Sequence, residues 1–164
     1  MKVFALLLIS LIAPSARLQT PTAEQLYSVP AWARPVLDRQ DFKKAYELDA
    51  HLNPFCHRAD FDGDGKPDLA VLIRERSSGK IGIAFVHRGT LTSYIVGAGK
   101  PGVRGGDDYT WMDAWIVFDK GPVPRGAGDP PILKGDALIV FKTEAASAIL
   151  WWSGTGYRWY QQGD

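Results

Sequence analysis

The sequence feature that most constrains the fold is a short acidic loop followed at once by an apolar run. Residues 60–68 are Asp-Phe-Asp-Gly-Asp-Gly-Lys-Pro-Asp, with aspartates at relative positions 1, 3, 5 and 9 and a glycine at position 6. Residues 69–73 are Leu-Ala-Val-Leu-Ile, an apolar run of the length expected for a strand. A tight turn that leads directly into a buried strand favours a β-rich fold around this point.

The spacing within this loop is typical of a calcium site. Calcium takes six to eight oxygen ligands, and alternate side chains of a tightly curved loop can face one point. Asp60, Asp62 and Asp64 would therefore offer carboxylate oxygens, and glycine at position 6 permits the sharp turn. Lys66 would contribute its backbone carbonyl oxygen, and Asp68 would complete the shell. The sequence thus predicts one bound Ca²⁺.

The loop departs from an EF-hand at its end. Val71 occupies the twelfth position, where an EF-hand has a bidentate glutamate, and a strand rather than a helix follows. Residues 60–71 instead resemble the FG-GAP/VCBS-type repeat of integrin β-propellers and of many exported bacterial proteins, a similarity limited to about residues 58–74. The resemblance implies a calcium loop that joins two strands. The ligands that it implies are Asp60, Asp62, Asp64, Lys66 and Asp68.

The acidic loop has two simpler interpretations. It can be a solvated turn that binds no ion, or the ion can stabilise the fold without any regulatory or catalytic role. Four aspartates within nine residues repel one another, and a cation relieves that repulsion. We therefore expect an ion whose role is mainly structural.

The first residues are typical of a signal peptide. Met1 and Lys2 are followed by an apolar run over 3–13 and by small residues near 14–16, a pattern too short to span a bilayer. We expect a signal peptide over about 1–16, a single β-rich domain over 17–164, and a secreted or periplasmic protein. An uncleaved amphipathic segment is the alternative. No later segment is apolar and long enough to cross a membrane.

Net charge and cysteine count limit the partners and the chemistry that this chain could have. The 164 residues suit one domain, and a net charge of +1 without a basic run gives no attraction to nucleic acid. Cys56 is the single cysteine, so an internal disulfide is excluded. Its neighbour His57 would point to the opposite face of a strand, which argues against a Cys–His catalytic pair.

The pattern of residues predicts a mainly β (α+β) domain with an antiparallel sheet, meander or sandwich. One or two short helices are expected near its N-terminus, at 22–25 and 38–44, with Val36, Leu37 and Phe42 facing inward and Pro30 and Pro35 interrupting the chain. A single calcium loop and the absence of a repeat exclude a full propeller. The predicted strands are 46–52, for which a helix is the alternative, 68–74, 81–87, 91–96, 111–118, 137–142, 147–152 and 157–161.

Other residues suggest competing functions. Two of the three acids Asp107, Asp108 and Asp113 could form the carboxylate pair of a small calcium-dependent hydrolase acting on cell wall or carbohydrate, or all three could be solvated loop acids. The glycine-rich stretch 97–106 lacks the spacing of a phosphate loop. His57 and His87 are expected at the surface or beside the metal ligands. Aromatic residues that could stack on a glycan, or simply fill the core, are Trp111, Trp115, Trp151, Trp152, Tyr157, Trp159 and Tyr160.

The sequence alone is therefore compatible with two classes of function. The first is a non-catalytic exported domain that binds calcium, with a glycan or an envelope protein as its partner. The second is the small hydrolase. A groove with paired carboxylates, one of raised pKa, would favour the enzyme.

Overall fold

A computed structural model describes residues 28–163 of the chain, so the predicted signal peptide and the helix at 22–25 lie outside the described residues. Two short helices lie wholly within this part, α1 (Arg34–Leu37) and α2 (Gln40–Ala45). Val36, Leu37 and Phe42 are buried, as predicted. Pro35 was expected to interrupt the chain but lies in the first turn of α1, where a missing N–H costs no helical hydrogen bond.

Nine strands form two antiparallel sheets within residues 28–163. Sheet A contains five strands and sheet B four. The strands of sheet A are β1 (Tyr46–Leu48), β2 (Cys56–Ala59), β3 (Asp68–Glu75), β4 (Ile81–His87) and β5 (Thr92–Gly97). The strands of sheet B are β6 (Ala114–Phe118), β7 (Ala137–Lys142), β8 (Ala146–Trp152) and β9 (Tyr157–Gly163).

Sheet A is built around β3. β4 pairs along one edge of β3 and carries β5 beyond it. β1 and β2 share the other edge, because β1 pairs with the Ile73–Glu75 end of β3 and β2 with its Asp68–Val71 end. The acidic loop therefore connects two neighbouring antiparallel strands, β2 and β3. The strand predicted over 46–52 ends at Leu48, and the helical alternative ends at Ala45.

Sheet B is a four-stranded meander in the order β6-β7-β8-β9. The strand predicted over 111–118 begins only at Ala114. Met112 donates its N–H to the carbonyl of Tyr109 at 3.0 Å, which turns the chain just before the strand. The predicted C-terminal hairpin is confirmed, with Trp152 opposite Tyr157 at its turn.

One hydrophobic core joins the two sheets. It takes in Leu72 and Phe85 from sheet A with Leu138 and Leu150 from sheet B. All seven residues of β4 are buried, so both faces of this strand are covered. Residues 28–163 thus form a mainly β single domain with two antiparallel sheets and not a propeller, as predicted.

Within residues 28–163, the helices are all too short to traverse the apolar interior of a bilayer.

Candidate metal centre

Two glycines set the curvature of the acidic loop, and one aromatic side chain anchors the loop in the core. Gly63 and Gly65 have φ angles of +80° and +84°, a left-handed conformation that glycine adopts without steric cost. Phe61 points away from the aspartates into the core, where it is fully buried and meets the edge of Phe85 at a ring-centroid distance of 5.3 Å. The chain therefore curls tightly at 63–65 while position 61 fixes the loop to sheet A.

The first three aspartates converge inside this curl. Asp60 accepts the N–H groups of Gly63 and Gly65, each at 2.9 Å, through its two carboxylate oxygens. Asp62 Oδ1 accepts the N–H of Asp64 at 3.1 Å. One carboxylate oxygen from each of Asp60, Asp62 and Asp64 lies within 4.8 Å of the other two. The local spacing 1-3-5 thus places three ligand-type oxygens around one point.

This set of oxygens suits a hard cation. Carboxylate oxygens are the ligands that calcium prefers, and each oxygen that accepts one backbone N–H keeps a further lone pair. The three like charges repel one another when no cation is between them. Lys66 Nζ forms an exposed ion pair with Asp64 Oδ2 at 3.4 Å, and the backbone N–H of Lys66 donates to Asp64 Oδ1 at 2.8 Å. Ligation by the Lys66 carbonyl stays a prediction.

Asp68 occupies a different position from the other three acids. Its side chain is fully buried and accepts backbone N–H groups from Phe61 at 3.0 Å, Asp62 at 3.1 Å and Arg88 at 2.8 Å. Burial raises the pKa of Asp68 to about 7, against the opposing effect of these N–H donors. Asp68 therefore ties the loop to the end of β4 and closes it at its base. It lies within 4.8 Å of ligand atoms of Asp62 and His87, but the group of Asp60, Asp62 and Asp64 does not include it.

The segment before β7 holds the other side of the loop. Asp136 accepts the N–H of Asp60 at 3.0 Å and donates its own N–H to the Asp60 carbonyl at 2.7 Å. A Cβ on Gly63 would lie 2.5 Å from the carbonyl oxygen of Lys134, whereas a Cβ on Gly65 would meet nothing within 4 Å. The loop is therefore packed at position 63 against the segment that precedes β7 and is open at position 65. Sequence reasoning missed Asp136, which lies 76 residues from Asp60.

His87 is buried beside the loop and is not a surface residue. It is 2% exposed, its Nδ1 lies 3.3 Å from Asp62 Oδ2, and its Nε2 lies 2.8 Å from the hydroxyl of Tyr157. Burial lowers the pKa of His87, although the negative charges of the loop aspartates act in the opposite direction. The pairing of β3 with β4 explains this position: Leu69 opposes Val86, so the next position along β4 lies beside Asp68.

The three acids of the alternative enzyme are used in loop contacts. Lys80 forms an ion pair with Asp107 at 2.5 Å and lowers the pKa of that carboxyl. Hydrogen bonds from the side chain and backbone of Thr143 lower the pKa of Asp113 to about 2. Asp108 accepts the N–H of Ile81 at 3.0 Å. A general acid of a glycosidase requires a raised pKa, so these contacts do not favour the hydrolase.

The remaining candidates contact other parts of the fold. His57 Nε2 lies 3.3 Å from the carbonyl of Trp115 and does not contact the acidic loop. Cys56 Sγ lies 3.8 Å from the carbonyl of Ser28, so no contact between Cys56 and His57 supports a catalytic pair. Trp152 and Tyr157 pack in the core between the sheets.

Comparison of the chain with protein-family models, with curated proteins and with solved structures finds no match in any of the three. The functional interpretation therefore rests on the geometry of the acidic loop and its neighbours.

Proposed function

We propose that the protein is an exported calcium-binding β-domain of the envelope or the extracellular space. Its ion mainly stabilises the fold, and the domain has a non-catalytic binding or structural role. The observation that carries the proposal is the convergence of Asp60, Asp62 and Asp64, whose carboxylate oxygens lie within 4.8 Å of one another in a loop bound to both sheets.

A structural role follows from where the loop is attached. Asp68 binds the loop to the end of β4 in sheet A, and Asp136 binds it to the start of β7 in sheet B. Repulsion among the three converging carboxylates opposes this packed arrangement, and a divalent cation removes that repulsion. Because the loop contacts both sheets, a cation bound there would stabilise the contact between the sheets as well as the loop.

The donor set favours calcium over other common cations. The proposed ligands are all oxygens on a curved loop, which suits the six to eight flexible contacts of Ca²⁺. Magnesium requires a smaller and nearly ideal octahedral shell and keeps several waters. Export, which we infer from residues 1–16, would place the protein where calcium is abundant enough to fill a site of modest affinity.

The similarity to the FG-GAP/VCBS-type loop supports the same proposal. In that family the calcium loop joins two strands of a blade. Here the loop joins β2 and β3, which are antiparallel neighbours of sheet A. We propose that the calcium loop of that family is used here once, in a two-sheet domain.

Isothermal titration calorimetry on the chelator-stripped protein tests the proposal. One calcium site is expected, and Asp62→Ala should abolish binding. Asp129→Ala is the matched control, because Asp129 is an exposed acid of the 121–131 loop and should leave binding unchanged. Calcium binding of wild-type affinity in an Asp60→Ala/Asp64→Ala double variant would contradict the proposal.

A further inference from the structure

Three buried or half-buried side chains connect the acidic loop to the C-terminal hairpin. Asp62 Oδ2 lies 3.3 Å from His87 Nδ1, and His87 Nε2 lies 2.8 Å from the hydroxyl of Tyr157 on β9. The Asp62–His87–Tyr157 network therefore runs from the loop through the end of β4 into sheet B. Both ring nitrogens of His87 are used in it.

We propose that His87 is a positioning residue for the calcium loop, holding the Asp62 carboxylate in its ligating orientation while Tyr157 holds the imidazole. This inference rests on the proposed function of the loop. His87 itself is not a ligand in this proposal, since its Nδ1 faces Asp62 Oδ2 at 3.3 Å.

The proposal requires one tautomer of His87. An ionised Asp62 can only accept a hydrogen bond, so donation from His87 to Asp62 requires a proton on Nδ1. In a neutral imidazole Nε2 is then an acceptor, and the hydroxyl of Tyr157 must donate to it.

The network holds Asp62 at both oxygens. Oδ1 accepts the N–H of Asp64 at 3.1 Å and Oδ2 faces His87, so rotation of the carboxylate about its last bond breaks at least one contact. Tyr157 is in turn fixed by stacking on Phe85, with ring centroids 3.6 Å apart. The orientation of one proposed ligand is thus set by side chains packed between the two sheets.

Two substitutions of His87 separate its two nitrogens. In His87→Asn the side-chain amide can stand near the position of Nδ1, so it retains a donor to Asp62. In His87→Gln the amide reaches the position of Nε2 instead and leaves Asp62 without its donor. Loss of a residue that orients a metal ligand typically weakens affinity by about 10–100-fold. We expect that loss in His87→Gln and near wild-type affinity in His87→Asn.

The same calcium titration includes a control variant and can give results that contradict the proposal. His57→Gln changes another half-buried histidine, one that contacts Trp115 instead of the loop, and should leave calcium affinity unchanged. Melting in chelator checks that each variant is folded. Equal affinity in both His87 variants, whether high or low, overturns the proposal; equally low affinity in two folded variants would indicate that His87 ligates the ion itself.

A measurement on the wild-type protein does not depend on calcium binding. The ¹⁵N chemical shifts of the imidazole at pH 8 should show a proton on Nδ1 of His87, and Tyr157→Phe should shift the population toward the other tautomer. A wild-type His87 protonated on Nε2 would overturn the positioning proposal. Absence of calcium binding in the wild-type protein, with the expected tautomer present, would instead refute the proposed function and leave the network standing.

Discussion

At the scale of single residues, Asp49 shows how a buried charge is stabilised away from the acidic loop. Its side chain is 6% exposed and lies 2.5 Å from Arg74 Nη2, and His51 contacts it through both Nδ1 and the backbone N–H. Burial alone would raise its pKa, but the hydrogen bonds from His51 and the charges of His51 and Arg74 outweigh burial and lower the pKa from 3.8 to about 2. The folded protein therefore binds the proton of Asp49 more weakly than the unfolded chain does.

This shift predicts a loss of stability in acid. Because the folded-state pKa is lowered, the contribution of Asp49 is fully present above about pH 4 and disappears as the pH falls toward 2. A shift from 3.8 to about 2 corresponds to about 2 kcal/mol in the free energy of unfolding. Asp49→Asn should be less stable than wild type by about that amount at pH 7, with the difference shrinking below pH 4. Denaturant unfolding at a series of pH values measures it; a difference independent of pH would contradict the assignment.

The same residue explains an error of the sequence-based prediction. Alternating polar and apolar residues over 46–52 predicted a strand that includes Asp49. The strand ends at Leu48, and Asp49 turns inward because Arg74, on β3, offers it a charge partner. A pattern of alternating residues contains no information about a partner 25 residues away in the chain. It therefore predicted the start of the strand and missed its end.

At the scale of elements, the C-terminal hairpin closes sheet B. The pairing of β8 with β9 begins at the turn, where Trp152 lies opposite Tyr157. Tyr157 and Tyr160 of β9 are buried. Tyr157 stacks on Phe85 of sheet A, so β9 contributes to the core between the sheets as well as to its own sheet. Removal of β9 would expose the apolar face and the unpaired backbone of β8.

We therefore expect truncation after Trp152 to destabilise the domain and to cause aggregation, even with calcium in excess. Thermal unfolding and size-exclusion chromatography measure the two effects. Arg158→Ala, a change at an exposed position of the same strand, is the control and should behave as wild type. A truncated protein that remains a monomer with an unchanged melting temperature would show that β9 is a dispensable edge, available for a partner or a glycan.

Most strands after the acidic loop were predictable because local signals define them. Turn residues at 77–80 and 153–156 separate apolar runs of strand length, and the structure places hairpin turns at both positions. The strand predicted from Trp111 begins only at Ala114. Asp113, just before it, accepts hydrogen bonds from the backbone N–H and the hydroxyl of Thr143 at the end of the sheet. Capping contacts of this kind depend on the tertiary fold, which explains why boundaries were less predictable than elements.

At the scale of the whole molecule, the acidic loop combines a local motif with distant supports. Asp60, Asp62 and Asp64 converge because their spacing in the sequence dictates it, so these three residues could be predicted. Asp136 reaches the loop across a proline-containing connection whose path no periodic pattern describes. His87 lies beside the loop because of the β3–β4 register, which no sequence pattern defined, and burial on both faces of β4 encloses it.

Because the loop is attached to both sheets, we expect bound calcium to stabilise the entire domain. At free calcium 100 times the dissociation constant, linkage raises the free energy of unfolding by about 2.7 kcal/mol. For a chain of this length that corresponds to a melting temperature higher by roughly 5–10 °C. Magnesium should give a much smaller shift, because the site is expected to suit a larger, more flexible shell. Asp62→Asn should lose the calcium shift and Asp129→Asn should retain it. A wild-type melting temperature that saturating calcium leaves unmoved would exclude a structural ion, because a ligand that binds only the folded state must stabilise it.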